Sequence, residues 1–475
     1  MISYAAASHS LSKAIRKLSP RLSQVTKPRA SFSNTTYRPS LTSTISPQTL
    51  ASIQTLPEVS QALSQNNEFA LDGLDRAAQV FEQFNPNGDE HKAVKFLQAQ
   101  GYMQLFSYQK AVKVFISLDK LDLTQDEKFH ANLAKGKLMW EQGSCDEAHA
   151  VASQLCDEAP QMKHSVSLRQ GTALNCLALC RLAVIGVKDV DMIQFSSKGQ
   201  SLVQQDVASQ LREAEDVQDL LRMASKILFK GYKDGKQGGV SPGNDPDHCL
   251  LGLYCAASYC NQGVGELTTT LIQSASTNRP VPIESPMNAW RNALTVMDEL
   301  EQDELNHLST KQIIFLKSTK ARVYCNMAWA ILFSSSYVDA GKVASVTEES
   351  LTLAAEYAGL ALKINDEIGN EDESLGRILC LVASCYVKAG SAVTAEGLLK
   401  SAMDVLKESP NPLKTIDARS SIVYYSKLCK SWENREADAT KYEKLALECN
   451  DTLTEPWIGA SSIYSGLHMF GCVDA

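Results

Sequence analysis

From about residue 51 to residue 465 the apolar side chains return every three or four positions, in runs long enough for helices and separated by short breaks. A helix with one apolar stripe has to bury it against a neighbour, so a chain built this way folds by packing helix on helix. Leu and Ala dominate the apolar set and long stretches lack proline, which favours helix throughout.

The breaks make pairs. In EHKAVKFLQAQGYMQLFSYQKAVKVFISLDKL, from Glu90, two apolar runs flank a short hinge at Phe106 and Ser107. In KGKLMWEQGSCDEAHAVASQLCDEAP, Lys135 to Pro160, the first helix contains Gly136 and ends at Gly143, and the second buries Ala148 and stops at Pro160. Small residues at Gly136 and Ala148 allow close backbone approach, and Gly143 relieves the turn because it lacks a β-carbon.

These spacings resemble the tetratricopeptide repeat. Its pattern matches Gly136, Met139, Gly143, Ala148, Leu155 and Pro160, with Asn132 where the family carries an early tryptophan. A preceding copy uses Ala99, Tyr102, Tyr108, Ala111, Phe115 and Leu118, with Phe106 in place of the turn glycine. A third, in LCLVASCYVKAGSAVTAEGLLKSAMDVLKESPNP, uses Ala383, Tyr386, Gly390, Ala395, Leu399 and Ala402. The resemblance implies an all-α, right-handed superhelical solenoid of antiparallel helix pairs (TPR-like) that offers a concave surface to a partner. Gly136, Ala148, Ala111, Gly390 and Ala395 are expected to be tightly packed, so that enlarging any of them overpacks a helix interface.

Composition divides the chain. Residues 1–50 hold seven of the 46 Lys and Arg and none of the 54 Asp and Glu, leaving 39 basic against 54 acidic residues in the rest. SLSKAIRKLSPRL sets Leu11, Ala14, Ile15 and Leu18 near one helical face, with Lys13, Arg16, Lys17 and Arg21 around it, in the manner of an organellar import segment. A mitochondrial presequence, with the matrix as destination, is expected, and the Ser- and Thr-rich sequence that follows keeps the plastid stroma as the alternative. Residues 51–230 and 248–465 are expected as two sets of helical repeats, joined by a Gly- and Pro-rich linker at 231–247 and followed by a tail at 466–475. No stretch approaches 18 uninterrupted apolar residues, so stable membrane insertion is not expected.

Candidate chemistry is sparse. Cys145 and His149 stand four apart and could share a helical face, but Cys156 lies two turns further on, so the group is expected to stack helices rather than bind metal. Cys176 with Cys180, Cys255 with Cys260 and Cys380 with Cys385 lack the CxxC spacing and are expected to be small buried hydrophobes. Around Lys236 the glycine spacing of a P-loop is missing and Gln237 stands where Ser or Thr would hold magnesium. The runs MDELEQDELN and INDEIGNEDES lack the ligand order of a calcium loop and are expected as a solvated helix face and a polar turn. Tyr102 and Tyr386 are expected to pack within their pairs.

No catalytic, cofactor-binding or metal residue is therefore assigned, and no cofactor is expected. The acidic body disfavours nucleic acid. The reading is a non-catalytic protein-protein interaction scaffold, assembly factor or subunit of an organellar multiprotein complex. An organellar RNA-processing or translation factor of helical-repeat type is the alternative, and a helical enzyme with a non-sequential active site is a further one.

Overall fold

The computed structural model describes residues 47–64, 68–105, 107–142, 144–161, 166–185, 207–237, 246–277, 282–303, 305, 308, 310–334, 347–369, 372–408 and 414–451. Among these residues all regular structure is helical. The expected targeting segment, apart from its last residues, and the expected tail lie outside them.

By contact, the described residues separate into two compact units, 47–180 and 181–451. The first contains α1 (Pro47–Gln54), α2 (Pro57–Ser64), α3 (Glu68–Phe84), α4 (Asp89–Gln104), α5 (Tyr108–Leu118), α6 (Gln125–Glu141), α7 (Cys145–Glu158) and most of α8 (Val166–Ile185). A single 3₁₀ turn at Ala159–Gln161 carries Pro160, so the chain leaves α7 at the proline, as expected. Within this unit α4 pairs with α5 and α6 with α7, and the two first helices, α4 and α6, also touch. Thr124 starts α6 with a full capping box: its hydroxyl accepts from the Glu127 backbone N–H at 3.2 Å, and the Glu127 carboxylate accepts from the Thr124 N–H at 2.7 Å.

The second unit contains α9 (Val207–Gln237), α10 (Pro246–Thr277), α11 (Glu284–Asp303), α12 (Thr310–Ser334), α13 (Glu348–Glu367), α14 (Asp372–Lys388), α15 (Ala392–Glu408), α16 (Lys414–Lys430) and α17 (Glu436–Asp451). Consecutive helices pack as antiparallel pairs, α10 with α11, α12 with α13, α14 with α15 and α16 with α17, and α9 packs on α10. The first helices of successive pairs touch in turn, α10 with α12, α12 with α14 and α14 with α16. Each pair thus covers the apolar surface its predecessor leaves, which is the logic of stacked repeats.

Two features of the second unit depart from expectation. The Gly-rich stretch at 231–247 was expected to break every helix, yet α9 continues through Gly231 and Gly235 to Gln237, and α9 and α10 then pack on each other. By contact, the two units divide between Cys180 and Arg181, inside α8. Packing gives the reason: the Tyr232 ring stacks on His248 with centroids 5.0 Å apart, and a β-carbon at Gly235 would lie 2.5 Å from His248 Nδ1. Gly235 is in the helix because His248 occupies the space its side chain would need.

The other feature is α10. No residue from His248 to Ser274 is exposed, so this helix forms the centre of the unit rather than one of its faces. Its small residues allow that. A β-carbon at Gly252 would come within 2.7 Å of Leu300 on α11 and 2.9 Å of Tyr232 on α9, and one at Gly263 would collide with the Trp290 indole. Trp290 also donates from Nε1 to the Cys260 carbonyl at 3.1 Å. Three of the helix's buried hydroxyls bond within it or to α9: Thr268 donates to the Val264 carbonyl, Thr269 to those of Gly265 and Ala214, and Ser258 pairs with Ser225 on α9.

Candidate interaction surface

The three repeat-like turns share one geometry. Ser107, Ser144 and Ser391 each donate a backbone N–H to the carbonyl five residues earlier, on Tyr102, Met139 and Tyr386, every time at 2.9 Å. Each serine carbonyl then accepts from the small residue four places on, Ala111, Ala148 or Ala395, at 3.0 to 3.1 Å. At the third turn Gly390 has φ +76° and donates to the Val387 carbonyl, completing a Schellman close. The alanines at 111, 148 and 395, together with Ala99, Phe115, Leu118, Leu155, Ala383, Leu399 and Ala402, are buried, and so is Gly136.

Gly390 itself departs from the packing expectation. A β-carbon there would meet nothing within 4 Å, and the residue is exposed. Its left-handed backbone, rather than a tight helix contact, is what calls for glycine. The α16–α17 turn solves the same problem with Asn434, at φ 67°, ahead of the buried Ala439. Asparagine tolerates this conformation, so the last pair closes without the glycine that makes a turn easy to recognise.

Side chains with chemical potential are largely committed to packing. Cys176, Cys180, Cys255, Cys260, Cys380 and Cys385 are buried and outside any disulfide, and burial raises Cys260 and Cys385 to about 12, so neither is a thiolate at neutral pH. His149 and Cys156 are half-buried, whereas the Cys145 side chain lies outside those described. No three His, Cys, Asp or Glu side chains among the described residues form a group that could hold a metal ion.

Tyr102 is buried and donates to Asp75 Oδ2 at 2.7 Å, while Gln98 donates to Asp75 Oδ1 at 2.5 Å, tying α3 to α4. Tyr386 is half-buried. The adjacent tyrosines whose directions the sequence left open are separated by the fold: Tyr425 is core and Tyr424 half-buried.

The carboxylate run in α11 was expected to be a solvated face, but it joins three helices. Lys233 and Lys236 on α9 reach Glu299 at 2.8 and 3.1 Å, Lys236 also reaches Asp303 at 3.0 Å, and Lys320 on α12 reaches Asp298 and Glu301, both at 2.7 Å. Burial pushes the Glu299 pKa up, but its bonds to Lys233 and Lys236 outweigh that and hold it below the ordinary carboxylate value. Glu266 on α10, 3% exposed, accepts from Arg222 at 3.2 Å, Gln262 at 2.9 Å and Ser285 at 2.6 Å.

A second network fastens the last pair. Arg435 donates to Glu396 Oε1 at 2.7 Å, to Asp438 at 2.9 Å and to the Tyr425 hydroxyl at 3.1 Å, while Tyr425 donates to Glu396 at 2.9 Å. The Arg435 hydrogen bond is the largest influence lowering the Glu396 pKa to about 2, against a smaller opposing effect of burial.

Several apolar side chains stay uncovered on the outward surface. On α13, Leu353 is 39% and Leu360 41% exposed, with half-buried Tyr357 and Ile364 on the same stripe, opposite the buried Ala354, Ala358, Ala361 and Leu362. On α3, Val80 and Phe84 are exposed one turn apart, and on α9 Met223 stands out from the outer face. Motif analysis had no means of finding these positions, because they follow no repeat register and only the fold shows which apolar residues stay uncovered.

No protein-family model matches this chain, and no curated protein does. Among solved structures the crystal structure of yeast Tom70 is similar at 10% identity, over 80% of this chain and 92% of that one, with a TM-score of 0.20. This is a weak likeness between helical chains and carries no residue correspondence.

Proposed function

We propose that this chain is a non-catalytic scaffold that recognises other proteins, as an assembly factor or subunit of an organellar multiprotein complex. The repeated turn supports this reading best. Three helix pairs are closed by the same hydrogen bonds and the same buried alanine, so the fold is held by residues that face inward. Outward residues are then free to vary with the partner without disturbing the stack.

The proposed organelle is the mitochondrion, in its matrix, with the plastid stroma second. That part rests on the basic, carboxylate-free composition of residues 1–50.

The test is affinity purification of the tagged protein from gently lysed organelles, with quantitative mass spectrometry before and after RNase. A stoichiometric set of proteins that survives RNase is the expected result. Recovery of RNA, with loss of most partners after RNase, would replace the scaffold by an RNA-directed function.

A further inference from the structure

The long helix α9 carries an unusual order of charge. From Arg212 to Asp219 it has four carboxylates, Glu213, Glu215, Asp216 and Asp219, and one arginine; from Arg222 to Lys236 it has five cations and one aspartate. The helix dipole does not account for this, because its influence fades beyond the terminal turns. The carboxylates begin six residues inside the helix, its first turn holds no acid, and Lys236 is the one basic residue of its last turn.

The outer stripe where the two blocks meet is apolar. Met223 is 51% exposed, and half-buried Leu220 and Ile227 flank it on the outer side, opposite Val217, Leu221, Ala224 and Leu228, which face the core. Asp216 and Lys230 stand seven residues on either side of Met223 and hence on its stripe. Both are exposed, and neither makes an ion pair with a described residue. Asp219 has only a long contact, 3.7 Å, to Arg222, and Lys226 is exposed.

A face that is acidic on one side of an apolar centre and basic on the other is complementary to itself after a half-turn. We propose that α9 is a self-association surface whose occupant is the α9 of a second copy of this chain, packed antiparallel about a two-fold axis near Met223. This arrangement sets the two Met223 side chains against each other. It brings Asp216 opposite Lys230 of the second copy, and Asp219 beside its Lys226 and Ile227. Arg222, Lys233 and Lys236 keep their partners within the unit, on Glu266, Glu299 and Asp303, while the charges of Asp216, Asp219, Lys226 and Lys230 are neutralised across the axis and the exposed methionine is covered. One helix against one helix falls at the small end of specific interfaces, below about 1,200 Å² in total, so the dimer is weak and forms at roughly micromolar concentration.

Sedimentation velocity of the purified chain over a hundredfold concentration range, at low and at high salt, reads this out. The wild type should pass from monomer to dimer, with the transition moved to higher concentration by salt. The double variants Asp216→Lys with Asp219→Lys and Lys226→Glu with Lys230→Glu should each remain monomeric, because like charges then meet across the axis. An equimolar mixture of the two should restore dimers, since each supplies the charge the other has lost. All four positions are on the surface, and unchanged circular dichroism melts would confirm folding. A wild type that stays monomeric throughout, or variants that dimerise as it does, would overturn the proposal. Neither result alters the partner reading above, which the RNase experiment tests separately.

Discussion

At the scale of single residues, the glycines divide by what they do. Gly390 is needed for its φ of +76°, so Gly390→Ala should cost about 1 to 2 kcal/mol through left-handed backbone strain, and Gly390→Asn less. Urea unfolding of the three proteins would check that order. Glu396 supplies a pH test. Its folded pKa, about 2, lies below the ordinary carboxylate value of 4.5, so its ion-pair contribution is full above that range and is lost as pH falls from 4.5 towards 2. The melting-temperature gap between wild type and Glu396→Gln should therefore be widest near neutrality and shrink on acidification to pH 3. A gap that stays constant would show that Arg435 does not depend on this charge.

At the scale of elements, packing makes the same substitution act in opposite directions at two helix glycines. Gly263→Ala drives a methyl group into the Trp290 indole and should destabilise by about 1 to 3 kcal/mol. Gly397→Ala on α15 meets nothing within 4 Å and should stabilise by roughly 0.5 to 1 kcal/mol, because alanine is the better helix former. Thermal or urea unfolding of both variants would test whether packing or propensity governs each site. The sequence discloses the pairs whose turns follow a fixed pattern, and Ala111, Ala148 and Ala395 lie where that pattern puts them. It hides the continuation of α9 across Gly231 and Gly235, because the compensating contact comes from His248, on the next helix. It also hides the role of the α11 carboxylates, since a local acidic run says nothing of lysines on α9 and α12 that meet it only after folding.

At the scale of the molecule, what was legible is the means of construction: helices in pairs, with small residues where backbones meet. The proposed recognition surface was not legible, because exposure of Leu353, Leu360 or Met223 depends on which faces the neighbouring helices cover. The central claim is that outward helix faces bind protein while the inward register holds the stack. Hydrogen–deuterium exchange of the chain alone, and saturated with the most stoichiometric protein recovered from the purification, tests it most directly. The account predicts added protection in peptides from two or more helices between residues 47 and 451, with α10 equally protected in both states. A complex in which no peptide between 47 and 451 changes would contradict it, because the partner would then be held by sequence outside the helix pairs.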